Sequence, residues 1–100
     1  MHTTNQFMVD FTLPEYISEE FEGLIPFQKQ KVDSYIQEGI LNSYMLSLEG
    51  QKLWAVFTAN SEYDVLQFIA ELPLTQFMTT KISMLNMNNG AYEIPGFSLN

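Results

Sequence analysis

A chain of 100 residues, 46% of them hydrophobic, has room for one domain with a real apolar core and needs neither disulfides nor metal to hold it. With no cysteine, thiol catalysis, disulfides and thiolate metal sites are excluded. The net charge of −8, with lysine as the only basic residue type, disfavours nucleic acid and anionic membrane as partners and leaves no guanidinium fork for bidentate phosphate binding.

Gln6 to Leu13 alternates, with Phe7, Val9, Phe11 and Leu13 on one side and Met8, Asp10 and Thr12 on the other. That period of two predicts a first strand with one fully apolar face, ended by Pro14. Ser18 to Glu38 predicts a helix. Ser18 is the cap, and Glu19, Glu20 and Glu22 suit the positive end of its dipole. Its apolar stripe reads Phe21, Leu24, Ile25, Val32, Tyr35 and Ile36, and Gly39 is its stop. Pro26 lies inside this pattern and predicts a kink, or a split into one piece ending near Leu24 and a second starting near Pro26.

Ile40 to Leu48 predicts a second strand, and Glu49-Gly50 a hairpin that lays the strand Leu53 to Ala59 antiparallel beside it. Ser61 caps a second helix, in which Val65, Phe68, Ile69 and Leu72 recur at helical spacing until Pro73 stops it. Phe77 to Leu85 is the last strand. The tail 87–100 carries turn signals at Asn88-Asn89-Gly90 and Pro95-Gly96, yet Tyr92, Ile94, Phe97 and Leu99 are apolar enough to dock.

The order β-α-β-β-α-β predicts an α+β, ferredoxin-like domain over residues 1–100, with its core in about 6–86 and a docked tail. Both helices cover one face of a four-stranded antiparallel sheet. The other face carries Met8, Asp10 and Thr12, with Tyr44 or Trp54, and a second subunit is its expected cover. No apolar run approaches the roughly 20 residues that span a bilayer. Met1 to Thr4 lacks the basic and apolar regions of a signal peptide, so a cytoplasmic protein is expected.

Three short motifs carry a resemblance: Leu13-Pro14 at a strand end, Glu38-Gly39 at a helix end, and Leu72-Pro73-Leu74 followed by Phe77-Met78. On these the chain resembles muconolactone isomerase and, more widely, the YciI-like proteins of the dimeric α+β barrel superfamily, over roughly Phe7 to Leu85. The resemblance implies a homodimer whose two sheets form a barrel, in a larger ring-like oligomer or alone. It also implies proton transfer on a small lactone with no metal or organic cofactor. YciI-like relatives carry a histidine two residues after a helix proline, and muconolactone isomerase an acid at about the same place. Pro26-Phe27-Gln28 puts Gln28 there, which cannot accept a proton near neutral pH. Lys29 matches a lysine beside that acid.

Asp10, Gln28 and Lys29 are the candidate catalytic residues, and Gln28, Tyr44 and Trp54 the candidate ligand-binding ones. Gln28 lies in the middle of an apolar stripe, where a buried amide needs partners. It either faces a ligand or satisfies backbone freed by Pro26. Asp10 is either a base raised by burial or a solvated, lysine-paired carboxylate. Glu22 is a second possible base, and Lys29, Tyr44 or Gln28 the stabiliser of an enolate oxygen. Tyr44 and Trp54 either line a site for a planar ligand or fill the core. His2, the only histidine, lies at the terminus, and the carboxylates show no metal-ligand spacing. Two functions fit: a cofactor-independent isomerase, or a non-catalytic small-molecule-binding or structural oligomer that has lost its acid-base group.

Overall fold

In a computed structural model, which describes residues 4–85, the alternation of the first strand is realised directly. Phe7, Val9 and Phe11 of β1 (Asn5–Thr12) are buried under the helices, while Met8, Asp10 and Thr12 face the other way. β3 (Lys52–Ala59) alternates in the same manner, burying Leu53, Ala55, Phe57 and Ala59. These two strands form the centre of a four-stranded sheet in the order β2-β3-β1-β4, with every neighbouring pair antiparallel. The elements follow one another as β-α-β-β-α-β, the ferredoxin-like order. His2 and the C-terminal tail lie outside the described residues.

α1 (Glu19–Gln37) starts where Ser18 accepts a hydrogen bond from the Phe21 N–H. It ends where Gly39, at φ 78°, takes the left-handed conformation. The Gly39 and Ile40 N–H groups then return to the Ile36 and Tyr35 carbonyls, which closes the helix in the Schellman manner. The split at Pro26 does not occur, and α1 is one helix with Pro26 inside it. Proline removes a single donor, and Pro26 and Glu22 are both exposed, so the carbonyl left without its donor is on the side open to water. The stripe is also narrower than its apolar residues suggest. Phe21, Gln28, Val32 and Tyr35 are buried, whereas Ile25 and Ile36 are about half exposed.

β2 (Leu41–Ser47) pairs with β3 through an irregularity between Leu41 and Ser43. That bulge changes which residues face the helices. Leu41 pairs with Phe57 on the helix side, but Ser43 pairs with Val56 on the open side, so Tyr44, opposite Ala55, returns to the helix side. Trp54 lies on the open face, between Met45 and Asp10 on its neighbouring strands, and Tyr44 does not.

The hairpin turn places its left-handed residue at Gln51, φ 55°, rather than at Gly50. Left-handed backbone costs a side-chain-bearing residue about 1–2 kcal/mol, against about 0.5–1 kcal/mol of extra chain entropy for glycine. Gln51→Gly is therefore expected to raise the urea midpoint slightly at unchanged slope. A lower midpoint would contradict this reading of the turn.

α2 (Glu62–Ala70) begins at Ser61, whose hydroxyl accepts from the Asp64 N–H. It buries Val65 and Ile69, with Leu72 just beyond its end. A 3-10 turn, Thr75–Phe77, then occupies the place where the last strand was expected to open. Thr75 explains it: the buried hydroxyl donates to the Ile69 and Leu72 carbonyls, satisfying the end of α2. β4 (Thr79–Leu85) follows and pairs with β1. Among the described residues no element covers the face that carries Met8, Asp10, Met45, Trp54 and Val56.

Candidate functional site

Gln28 is the polar residue at the centre of the buried face of α1, only 4% exposed. Its Nε2 donates to the Tyr44 hydroxyl at 3.1 Å, and its Oε1 accepts the Leu74 N–H at 3.0 Å. One amide thus ties together α1, β2 and the loop that follows α2. Neither bond goes to a carbonyl freed by Pro26. The partners lie 16 and 46 residues away in the chain.

Tyr44 is partly exposed. Burial pushes its pKa up, and the hydrogen bond from Gln28 offsets part of that rise. The phenol is therefore neutral at physiological pH and acts as a hydrogen-bonding group, not as a base. Gln28 and Tyr44 are sequence candidates that the fold joins by a direct hydrogen bond.

The other candidates lie elsewhere. Asp10 projects from the open face of the sheet, opposite in direction to the buried Val9 and Phe11 beside it. Lys52 Nζ bonds both its carboxylate, at 3.1 Å, and the Thr12 hydroxyl, at 2.9 Å. Trp54 shares that face. Lys29 is 77% exposed and sits 3.5 Å from Asp33 one helical turn on, a pairing worth little in water. Glu22 is exposed on the first turns of α1.

A second polar cluster had no signature in the sequence. Lys31 of α1 reaches Glu71, at the end of α2, at 3.0 Å and lies over the Tyr35 ring. The Tyr35 hydroxyl donates to the Phe68 carbonyl and to Glu71. An open groove of about 400 Å³ runs beside this cluster, lined by Phe27, Gln30, Lys31, Ser34, Glu71 and Pro73. Gln28 does not line it. Lys31 and Tyr35 are one turn apart, but Glu71 joins them only through the tertiary fold. Among the described residues no three acidic or histidine side chains are close enough to share a metal ion, and no helix is long and apolar enough to cross a membrane.

A crystal structure of muconolactone isomerase superposes on this chain with a TM-score of 0.65, covering 89% of this chain and 96% of that one at 19% sequence identity. The fold is similar to that of muconolactone isomerase. No protein-family model matches the chain, and no curated protein sequence does either. The likeness to muconolactone isomerase thus lies in the architecture that carries Gln28 and Tyr44.

The second cluster has a consequence for stability. Burial, then the negative charge of Glu71, pushes the Tyr35 phenol far above its ordinary value. The fold therefore favours the neutral phenol. That stability is fully present below about pH 10, where the unfolded phenol ionises, and is lost as the pH rises toward the folded value. The urea midpoint should hold through neutral pH and fall above about pH 10, less steeply in Tyr35→Phe than in the wild type. Equal slopes in the two proteins would contradict this. Glu71 has the opposite sign: the hydrogen bond and charge of Lys31 hold its carboxyl below the usual range. Its contribution is present at neutral pH and lost as the pH falls through that lowered value, and solvent keeps it small.

Proposed function

We propose that this chain is a muconolactone isomerase-like barrel protein that pairs with itself through the open sheet face and binds a small lactone or related carbonyl compound beside Tyr44. Binding rather than turnover is the reading the geometry supports. The observation that carries it is the Gln28–Tyr44 contact: an amide and a neutral phenol, buried or partly so, on the helix side of the sheet. Such a pair can hold a carbonyl or developing enolate oxygen. It cannot shuttle a proton, because the amide does not titrate near neutral pH and burial keeps the phenol protonated. Asp10, the candidate base on β1, is on the opposite side of the sheet and tied to Lys52. The resemblance in fold is the support for a lactone-like ligand class, and the absence of an ionisable group at position 28 argues against the isomerase step.

Calorimetric titration with muconolactone and with γ-butyrolactone tests this. The wild type should bind at least one of them, and Tyr44→Phe should bind it roughly three- to tenfold more weakly, the worth of one neutral hydrogen bond. Isomerisation followed by ultraviolet absorbance should be weak or absent. Affinity unchanged in Tyr44→Phe would remove the site. Fast isomerisation undiminished in Gln28→Ala would show that a proton carrier acts elsewhere, with Asp10 the next residue to replace.

A further inference from the structure

The Leu74 N–H is a backbone group that can only donate, and it sits 3.0 Å from one terminal atom of Gln28. That atom must be the oxygen, so the other, 3.1 Å from the Tyr44 hydroxyl, must be the NH2 group. The backbone therefore decides which way the amide faces, and the amide decides how the phenol is used. A phenol oxygen that already accepts from Gln28 has its own hydrogen left to give. Among the described residues nothing accepts that hydrogen.

We infer that Gln28 is a positioning residue that sets the hydrogen-bond polarity of Tyr44, so that the site selects ligands presenting an acceptor, such as a carbonyl oxygen, over ligands presenting a donor. This rests on the Tyr44 site proposed above, but its physical core is independent of any ligand. Glu at position 28 would reverse the polarity. A carboxylate accepts from both Leu74 and Tyr44, which captures the phenol hydrogen and leaves only lone pairs facing outward.

Three measurements test it. In the wild type, nuclear Overhauser effects should place the Gln28 side-chain NH2 protons against the Tyr44 ring. Finding them against the Leu74 amide proton instead would overturn the inference, with no variant needed. Next, tyrosine labelled at the ζ carbon reports ionisation of Tyr44. Gln28→Glu exchanges a donor that favours the phenolate for an acceptor that holds the proton, so the proton affinity of Tyr44 should rise at least roughly tenfold. A titration unchanged from wild type would overturn the inference. Finally, cyclopentanone offers only an acceptor, whereas cyclopentanol offers a donor as well. Wild type should prefer the ketone, and in Gln28→Glu the ratio of the two affinities should fall roughly tenfold. An unchanged ratio would overturn the selection claim. If wild type binds neither compound nor the lactones while the first two results hold, the ligand reading alone fails and the polarity of Tyr44 stands.

Discussion

Phe57→Ala is expected to lower the free energy of unfolding by about 3–5 kcal/mol. Phe57 is fully buried on the central strand β3 and has aromatic neighbours from both helices. Its ring lies 6.4 Å from that of Phe68, nearly parallel at 6°, and 6.4 Å from that of Tyr35 at 70°. Removing it leaves a cavity bounded by three elements, α1, α2 and the sheet, that cannot all close inward at once. A domain of this size has about 5–15 kcal/mol to lose, so the variant sits at the edge of folding. Urea titration with circular dichroism measures the effect. A loss under about 1 kcal/mol would mean that the two helices do not meet over Phe57 as described.

The second large effect concerns the open sheet face. Met8, Met45, Trp54 and Val56 lie on it together with the Asp10–Lys52 pair. Val56→Glu adds a carboxylate to this group, where desolvation on pairing with a second copy would cost several kcal/mol. Within one protomer Val56 is only partly buried, so the fold itself should tolerate the change. Wild type should sediment as at least twice 11.5 kDa at micromolar concentration, and Val56→Glu as a single 11.5 kDa species with unchanged circular dichroism. A wild type that sediments as 11.5 kDa would sink the proposed self-association.

Local signals were enough for the four strands and two α-helices, though not for the 3-10 turn Thr75–Phe77. Phe7, Val9 and Phe11 alternate without interruption, and Ser18, Gly39 and Ser61 cap and end helices by side-chain and backbone chemistry confined to a few residues. What failed depended on tertiary or register information. The face of Tyr44 turns on one inserted residue near Asn42, because a bulge reverses the parity of every residue after it. The continuity of α1 turns on Pro26 being on the solvent side, which the apolar pattern did not decide with Ile25 next to it. For the candidate site, the unusual position of Gln28 was legible as an amide among apolar residues. Its partners were not, since Leu74 offers only a backbone N–H, which has no residue signature. The loop that carries it is shaped by the Thr75 hydroxyl.

Residue-resolved nuclear magnetic resonance during a lactone titration tests the central claim most directly. The Leu74 amide and the Tyr44 ring report the two ends of the Gln28 bridge. With γ-butyrolactone, both should shift together along one saturable curve. The lining of the α1–α2 groove at Lys31 and Glu71 and the open-face residues Asp10 and Trp54 should move less. Saturable shifts centred on the groove or on the open face, with Leu74 and Tyr44 unmoved, would contradict the assignment of the site to Gln28 and Tyr44.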